Sequence, residues 1–223
     1  MMSQRRALWA LAGAALLLAA VGCFRLSRTS PPVQHFVLGT SAPPPARAGG
    51  VSIGLRRLEL ASHLNVPEIV VRYGANRVVT SEFQRWGGTL DEAINRVVAA
   101  QLASGPPVAG QPIGAVDVAP WAMQATHRFL IQLRVARFEG ELPDAGASGI
   151  AHVQVIWDII RPRTGTLLIR GATDQRGATW QAGAYADLVR GLEAGLGQVA
   201  RDIGACLARF PNDSTPPAAC GGG

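Results

Sequence analysis

The side chain with the most specific chemical context in this sequence is the thiol of Cys23. An apolar run over residues 7–21 leads up to it, after a start that carries two arginines and no acid, and the residues directly before it are Ala20, Val21 and Gly22. A basic start, a short apolar segment and small residues before a processing site are typical of a secretory signal. The cysteine completes a lipobox, which predicts cleavage between Gly22 and Cys23 and a diacylglyceryl group on the thiol.

The alternative is a transmembrane anchor, but the apolar run is short of the roughly 20 residues that a spanning helix needs. Phe24, and not an aspartate, follows the lipidated position. In Gram-negative bacteria an aspartate there commonly retains a lipoprotein at the inner membrane, so Phe24 favours the outer membrane. An acyl anchor holds a protein at the membrane while its domain stays in water. We therefore expect a periplasm-facing domain with a covalent lipid and no other cofactor.

The remaining polar residues form no recognisable catalytic or metal-binding pattern. The histidines, which are His35, His63, His127 and His152, are scattered, and no two of them have ligand spacing. The sequence contains no His-Glu-x-x-His motif, no Gly-rich phosphate loop and no Gly-x-Ser-x-Gly elbow. We therefore predict a protein that is not an enzyme and binds no metal. The alternative is an enzyme with an unfamiliar site, for which Glu82, His127 and His152 are the candidates.

Two cysteines, Cys206 and Cys220, remain once Cys23 carries the lipid. An oxidising periplasm favours disulfides, so one interpretation is a bridge that closes the tail onto the last helix. The other interpretation is a buried free thiol, because Cys206 falls on the apolar stripe three residues after Ile203. The sequence leaves both interpretations open.

Composition sets wider limits on function. The chain has 223 residues and a formal net charge of +6, and 48% of its residues are hydrophobic. Loss of residues 1–22 removes two arginines and leaves 201 residues with a charge of +4. Such a small surplus, spread along an exported chain, predicts no nucleic-acid partner. Outside its N-terminus the sequence has no apolar run long enough to span a membrane, so it is not polytopic.

Hydrophobic alternation predicts several strands between residues 51 and 173. The first has an irregularity at Arg56-Arg57, and two others form a hairpin in which positive φ is expected at Gly74 and Asn76. The predicted strands cover residues 51–60, 69–72, 77–80, 113–118, 129–135, 153–159 and 166–173.

Two amphipathic helices complete the predicted domain. The first begins at Thr89, where Glu92 completes a capping box, and the second runs from about 181 to 209. Both helices can bury their apolar faces on one face of a mostly antiparallel sheet. This arrangement predicts a single α+β domain. The predicted organisation is a signal peptide over 1–22, the lipidated cysteine and a Pro-rich linker with a short first strand over 23–50, the domain over 51–210, and a disordered tail over 211–223.

The stretch between the hairpin and the first helix is unusually aromatic for a loop. It runs Glu82-Phe83-Gln84-Arg85-Trp86-Gly87-Gly88-Thr89. One interpretation is a hydrophobic staple, in which Trp86 packs near the start of the helix. The other is a surface that contacts a partner.

This stretch and the residues before it resemble the PqiC/YmbA-type family of ABC-type transport auxiliary lipoproteins. The family pattern runs Tyr-Leu-Asp-Arg-Pro-Gln-Ile-Val-x-Arg, a Gly/Asn hairpin, and then Glu-x-x-Arg-Trp-Ala-Glu-Pro-Leu at the start of a helix. The resemblance covers residues 34–104, and the matching residues are Pro67, Arg72, Glu82, Arg85 and Trp86. The sequence departs from the pattern at Asn65-Val66, which replaces Asp-Arg, and at Gly87-Gly88-Thr89, which replaces Ala-Glu-Pro.

The resemblance implies a non-enzymatic adaptor at the outer membrane. Its partners would be an MCE-domain protein with an ABC-type permease and ATPase, in a system that moves lipids and supports envelope integrity. Relatives can form rings, which implies a homo-oligomeric ring. The alternative is an outer-membrane lipoprotein that activates a cell-wall synthase or helps to assemble another envelope component. Carriage of lipid in an internal pocket would overlap with the adaptor role.

We predict that Cys23→Ala leaves the domain folded but releases it from the membrane, because the acyl chains are its only anchor. Separation of membrane and soluble fractions, followed by immunoblotting, measures the release. A variant that stays with the membrane after its signal has been processed would contradict the lipid anchor.

Overall fold

The computed structural model describes residues 30–39, 49–210 and 215–220. The chain divides into two units, residues 1–32 and Val33–Gly223, and the account below concerns the second. The predicted signal peptide, the predicted lipidation site Cys23 and most of the predicted linker lie outside the described residues.

The described part of the chain forms nine strands and two α-helices. A short 3-10 helix at Ser62–Leu64 joins β3 to β4. The strands are β1 (Gln34–Phe36), β2 (Val51–Leu55), β3 (Glu59–Leu60), β4 (Glu68–Tyr73), β5 (Arg77–Trp86), β6 (Ile113–Val118), β7 (Phe129–Leu142), β8 (Ser148–Ile160) and β9 (Leu167–Gln181), and the helices are α1 (Leu90–Ala103) and α2 (Tyr185–Ala208).

Strand β7 organises the sheet because both of its edges are paired. One edge runs parallel to β2, β3 and β4 in turn, and the other runs antiparallel to β8, which pairs with β9. Beyond β4 the sheet continues through antiparallel β5 to parallel β1, and beyond β2 it continues to parallel β6. The predicted α+β class is confirmed, while the predicted antiparallel arrangement is partly wrong. Hairpins carry local turn residues, whereas parallel pairs join distant segments and have no such local signature.

One face of the sheet packs beneath the helices. α1 and α2 contact each other, α1 also contacts β6, and α2 contacts β7, β8 and β9. Gly191 and Gly195 of α2 allow a close approach to β8, because a Cβ at these positions would lie 2.7 Å from the Ala151 Cβ and 2.5 Å from the Val153 Cγ2. The core therefore lies between the sheet and a helix that glycines bring against it.

Strand β7 continues for seven residues beyond the predicted strand. The prediction ends at residue 135 because the hydrophobic alternation is interrupted there. The pairing with β8 shifts register between Val135 and Arg137. Val135 and Phe138 both face the core, at a spacing of three residues. A bulge of this kind breaks the period of two that identifies a strand, so the sequence pattern ends at 135 while the strand continues to Leu142.

Three local details also differ from the sequence-based expectation. Gly74 has the expected positive φ of 56°, but Asn76 does not have a positive φ. Thr89 occupies the cap position of α1, yet its side chain makes no capping hydrogen bond, so the capping-box prediction is wrong. α2 begins at Tyr185 and not near 181, because a turn with Gly183 at φ 92° precedes it.

The other face of the sheet is polar and contains buried ionisable groups. Glu139, His152 and Asp158 have side chains that are 0%, 1% and 4% exposed. Each of them contacts oppositely charged or ionisable side chains on neighbouring strands, as buried charges require.

Asp158 shows how this face is neutralised. Its Oδ1 accepts a hydrogen bond from Arg170 Nε at 2.7 Å, and its Oδ2 accepts one from Arg134 Nη1 at 2.7 Å. The hydrogen bond from Arg170, together with the one from Arg134, holds the pKa of the Asp158 carboxyl below its usual range. Both guanidiniums are partly exposed to solvent, whereas the carboxylate is buried. The charge of Asp158 is therefore stabilised mainly by its two arginine partners.

We predict that Asp158→Asn lowers the free energy of unfolding at pH 7 by about 1–2 kcal/mol, through the loss of charge-assisted hydrogen bonds. A lowered folded-state pKa stabilises the fold above the unfolded pKa, near 3.9, and this contribution disappears as the pH falls through the folded value. The difference between wild type and variant should therefore shrink below about pH 4. Urea denaturation across this range measures it, with the exposed Asp144→Asn as control. A difference that is independent of pH would contradict the prediction.

Candidate docking site

A groove of about 540 Å³ opens where β1, the loop before β4, the end of β5 and the start of α1 meet. Buried apolar side chains form its floor, and polar side chains lie at its rim. The lining residues are His35, Leu64, Asn65, Val66, Pro67, Trp86, Gly87, Gly88, Thr89, Leu90 and Asp91.

Backbone hydrogen bonds hold these separate segments together. The Trp86 N–H donates to the Pro67 carbonyl at 2.7 Å, and the Gly87 N–H donates to the Phe36 carbonyl at 2.7 Å. Strand β1 lies parallel to the end of β5, with Phe36 opposite Trp86. Most of the stretch predicted as a loop, Glu82 to Trp86, is therefore part of β5, and its backbone fixes two walls of the groove.

Trp86 forms part of the groove floor and also belongs to the core. Its side chain is 94% buried, and its ring centroid lies 5.8 Å from that of Phe138. Leu64 and Leu90, which also line the groove, are similarly buried. Trp86 thus packs near the start of the helix and presents part of its ring to the groove.

The two glycines after Trp86 have different roles. A Cβ at Gly87 would lie 2.8 Å from the Val37 Cγ1, so a side chain there would require Val37, just after β1, to shift. A Cβ at Gly88 would have no heavy atom within 4 Å. The groove is therefore open above Gly88, where the family pattern has a larger residue.

Arg72 lies outside the groove and neutralises a buried carboxylate. Its Nε donates to Glu139 Oε1 at 2.6 Å, and its Nη2 donates to Oε2 at 3.3 Å. Arg137 and His63 each approach the same carboxylate at 3.3 Å. The motif arginine therefore stabilises the polar face of the sheet.

Arg85 and Glu82 are also absent from the groove lining. Arg85 Nη2 lies 3.3 Å from Glu68 Oε1, and its Nε is buried without a hydrogen-bond partner. Glu82 is exposed on β5. Of the five motif residues, only Pro67 and Trp86 line the groove.

The candidates for catalysis do not come together. The Nε2 of His127, just before β7, lies 2.8 Å from Asp117 Oδ2. His152 lies opposite the far part of β7, with Glu141 Oε2 at 3.0 Å from its Nδ1 and Asp174 Oδ1 at 2.7 Å from its Nε2. Among residues 30–39, 49–210 and 215–220, no group of three or more His, Cys, Asp or Glu side chains could hold a metal ion.

A disulfide joins Cys206 of α2 to Cys220 of the tail, with 5.1 Å between their Cα atoms. Cys206 is buried on the apolar face of α2, but its sulfur is bonded to Cys220 and is not a free thiol. Gly22 and Cys23 lie outside the described residues.

Sequence reasoning did not identify Leu64, Val66 and Leu90 as lining residues, nor Glu139 as the partner of Arg72. Each lies in an ordinary helix, strand or loop pattern, and its role depends on contacts between segments distant in sequence. No local pattern could have identified them.

The comparisons with known proteins agree with the fold and with the sequence resemblance. The sequence model of the family described as "ABC-type transport auxiliary lipoprotein component" matches residues 36–204. This includes every residue that lines the groove except His35, and it extends well beyond residue 104, where the sequence motifs end. No curated protein matches the sequence. No helix in the described ranges combines the length and hydrophobicity needed to cross a membrane.

Two crystal structures share the fold. A Xanthomonas campestris protein assigned to the family DUF330 is 15% identical, with a TM-score of 0.58 over 78% of this chain and 95% of its own. A second, described as an uncharacterized protein, is 15% identical, with a TM-score of 0.55 over 82% of this chain and 100% of its own. At this identity the likeness concerns the fold alone.

We predict that Trp86→Ala lowers the free energy of unfolding by about 3–5 kcal/mol, because it removes a large side chain from a packed site, and that Trp86→Phe costs less. Urea denaturation followed by circular dichroism measures both variants. Glu82→Ala, on the exposed side of the same strand, is the control and should stay within about 0.5 kcal/mol of wild type. An unchanged midpoint for Trp86→Ala would show that Trp86 is not a core residue.

Proposed function

Because the chain belongs to the family of ABC-type transport auxiliary lipoprotein components, we propose that it is a non-enzymatic adaptor that docks an MCE-domain protein at the outer membrane. In this role it would support lipid transport and the integrity of the envelope. The permease and the ATPase of the system would be other subunits, and this chain would supply a membrane anchor and a binding surface.

The observation that carries the proposal is the groove beside Trp86. It brings together Pro67 and Trp86 of the family motif, an apolar floor and an open position at Gly88. Concave apolar surfaces with a polar rim are suited to hold an apolar side chain of a partner protein. Two motif residues outside the groove stabilise the sheet beside it, through the contacts of Arg72 with Glu139 and of Arg85 with Glu68.

The proposed lipid anchor is close to this groove along the chain. Ten residues, 24–33, separate Cys23 from Gln34, the first residue of β1. Such a segment spans at most about 40 Å when fully extended. Under this proposal, a partner that reaches the outer membrane would meet the groove within that distance of the bilayer.

A homo-oligomeric ring belongs to the same proposal. β1 and β9 are each paired on one edge only, so the described sheet ends in open backbone edges that a neighbouring subunit could cover. A ring would place several grooves around one axis, which would suit a partner with its own rotational symmetry.

The proposal is tested by a pull-down of the tagged, full-length lipoprotein from envelopes in mild detergent, with mass spectrometry of the bound proteins. Recovery of an MCE-domain protein with its permease and ATPase supports the adaptor. A cell-wall synthase or an outer-membrane barrel in their place would support the alternative of an activator or assembly factor.

We predict that Gly88→Trp reduces recovery of the MCE-domain protein about tenfold or more, because an indole would fill the groove that the partner occupies. The variant should fold, since the φ of Gly88 is not positive and the space around its Cβ position is open. Quantitative mass spectrometry of the same pull-down measures the effect.

The matched control is Gln101→Trp, which adds the same side chain to an exposed position on α1. It should leave recovery unchanged. Equal recovery with Gly88→Trp and with wild type, when both are folded by circular dichroism, would exclude the groove as the docking site.

A further inference from the structure

We infer that a second pocket, at the end of the sheet where β2 and β7 begin, binds a phosphate group. This inference rests on charge and geometry and is independent of the proposed docking role. The pocket has a volume of about 640 Å³, and its polar lining includes Ser52, Gln111, His127, Arg128, Arg161 and Arg163.

Among the described residues that line the pocket, three are arginines and none has a carboxylate. A guanidinium presents a planar fork of N–H donors that matches two phosphate oxygens at once. Arg128 Nη1 also donates to Gln111 Oε1 at 2.9 Å. Because a guanidinium carries five N–H groups, an arginine that bonds a neighbouring protein group can still bond a ligand.

The pocket wall is held in place by close backbone packing. A Cβ at Gly50 would lie 2.4 Å from the Gly114 nitrogen, so only glycine allows this part of the wall. A Cβ at Gly54 would lie 3.0 Å from His127 Cγ, which shows that the imidazole packs directly on β2. The Arg128 N–H donates to the Ser52 carbonyl at 2.8 Å, which ties the arginine to the same strand.

Arginines outnumber carboxylates in the segments that line the pocket. Residues 50–52, 111, 126–128 and 161–163 include Arg128, Arg161 and Arg163 and contain no Asp or Glu. One carboxylate borders the lining, since Asp117 Oδ2 lies 2.8 Å from His127 Nε2.

Exposed apolar side chains flank the arginines in sequence. Met123 is fully exposed in the loop that leads to His127, and Leu167 is 46% exposed after the turn that carries Arg161 and Arg163. Trp121 lies against His127, with 4.8 Å between the ring centroids. Phosphate beside apolar groups is what a glycerophospholipid presents, whereas a free phosphate ion would use the arginines alone.

The test uses the full lipidated protein in an uncharged detergent. Mixed micelles contain either phosphatidylglycerol or a diacylglycerol with the same acyl chains, and native mass spectrometry counts the lipid that stays bound. Isothermal titration calorimetry with inorganic phosphate measures the free ion. We expect phosphatidylglycerol to be retained at least about tenfold better than diacylglycerol, and more weakly as salt rises.

The triple variant Arg128→Gln, Arg161→Gln and Arg163→Gln should lose this preference. The control Arg190→Gln, Arg201→Gln and Arg209→Gln removes the same charge from exposed positions on or beside α2 and should keep it. If the triple variant does not fold, Arg163→Gln alone replaces it in the test. Arg163 lies in an exposed turn, and its loss should weaken binding severalfold.

Binding of phosphatidylglycerol but not of inorganic phosphate, with this dependence on the arginines, identifies a lipid headgroup site. Binding of inorganic phosphate with the same dependence identifies a site for the free ion. Three results would overturn the inference. The first is equal retention of both lipids without binding of phosphate. The others are a triple variant that binds like wild type and an equal loss of binding in the control variant.

Discussion

The fold depends on the double pairing of β7. One edge of this strand carries β2, β3 and β4 in succession, and the other carries β8 along almost its whole length. Its apolar face supports the helices, and its polar face buries Glu139 among Arg72, Arg137 and His63. The bulge after Val135 allows one strand to serve both halves of the sheet. Because β4 and β2 meet different parts of β7, the groove and the arginine pocket form at separate places.

The groove follows from this arrangement. β4 pairs with β5, and the end of β5 pairs with β1. This pairing places Trp86, the last residue of β5, between the core and the surface. The family motif combines residues with two kinds of role, since Pro67 and Trp86 line the groove while Arg72 and Arg85 form ion pairs on the sheet. A substitution at Arg72 would therefore be expected to act on stability first, and a substitution at Gly88 on binding.

The sequence predicts the parts of this structure that local patterns determine. The spacing of apolar residues from Leu90 to Leu102 predicts α1, and the alternation from Phe129 to Val135 predicts the first half of β7. The second half is hidden by the bulge and by ionisable residues such as Glu139, whose burial is possible only with partners from other strands. Parallel pairing, the groove and the arginine pocket all join distant segments. Sequence patterns identified Trp86 but not its neighbours Leu64 and Val66.

The central claim, that the groove beside Trp86 is the docking surface, is tested most directly by site-specific photo-crosslinking in intact envelopes. A photoreactive phenylalanine would replace Asn65, an exposed residue of the groove lining, so that the groove above Gly88 stays open, or, in a second variant, Arg170 on the polar face of the sheet. The account predicts a crosslink from position 65 to the MCE-domain protein and none from position 170. A crosslink from position 170 alone, with both variants folded and lipidated, would contradict it.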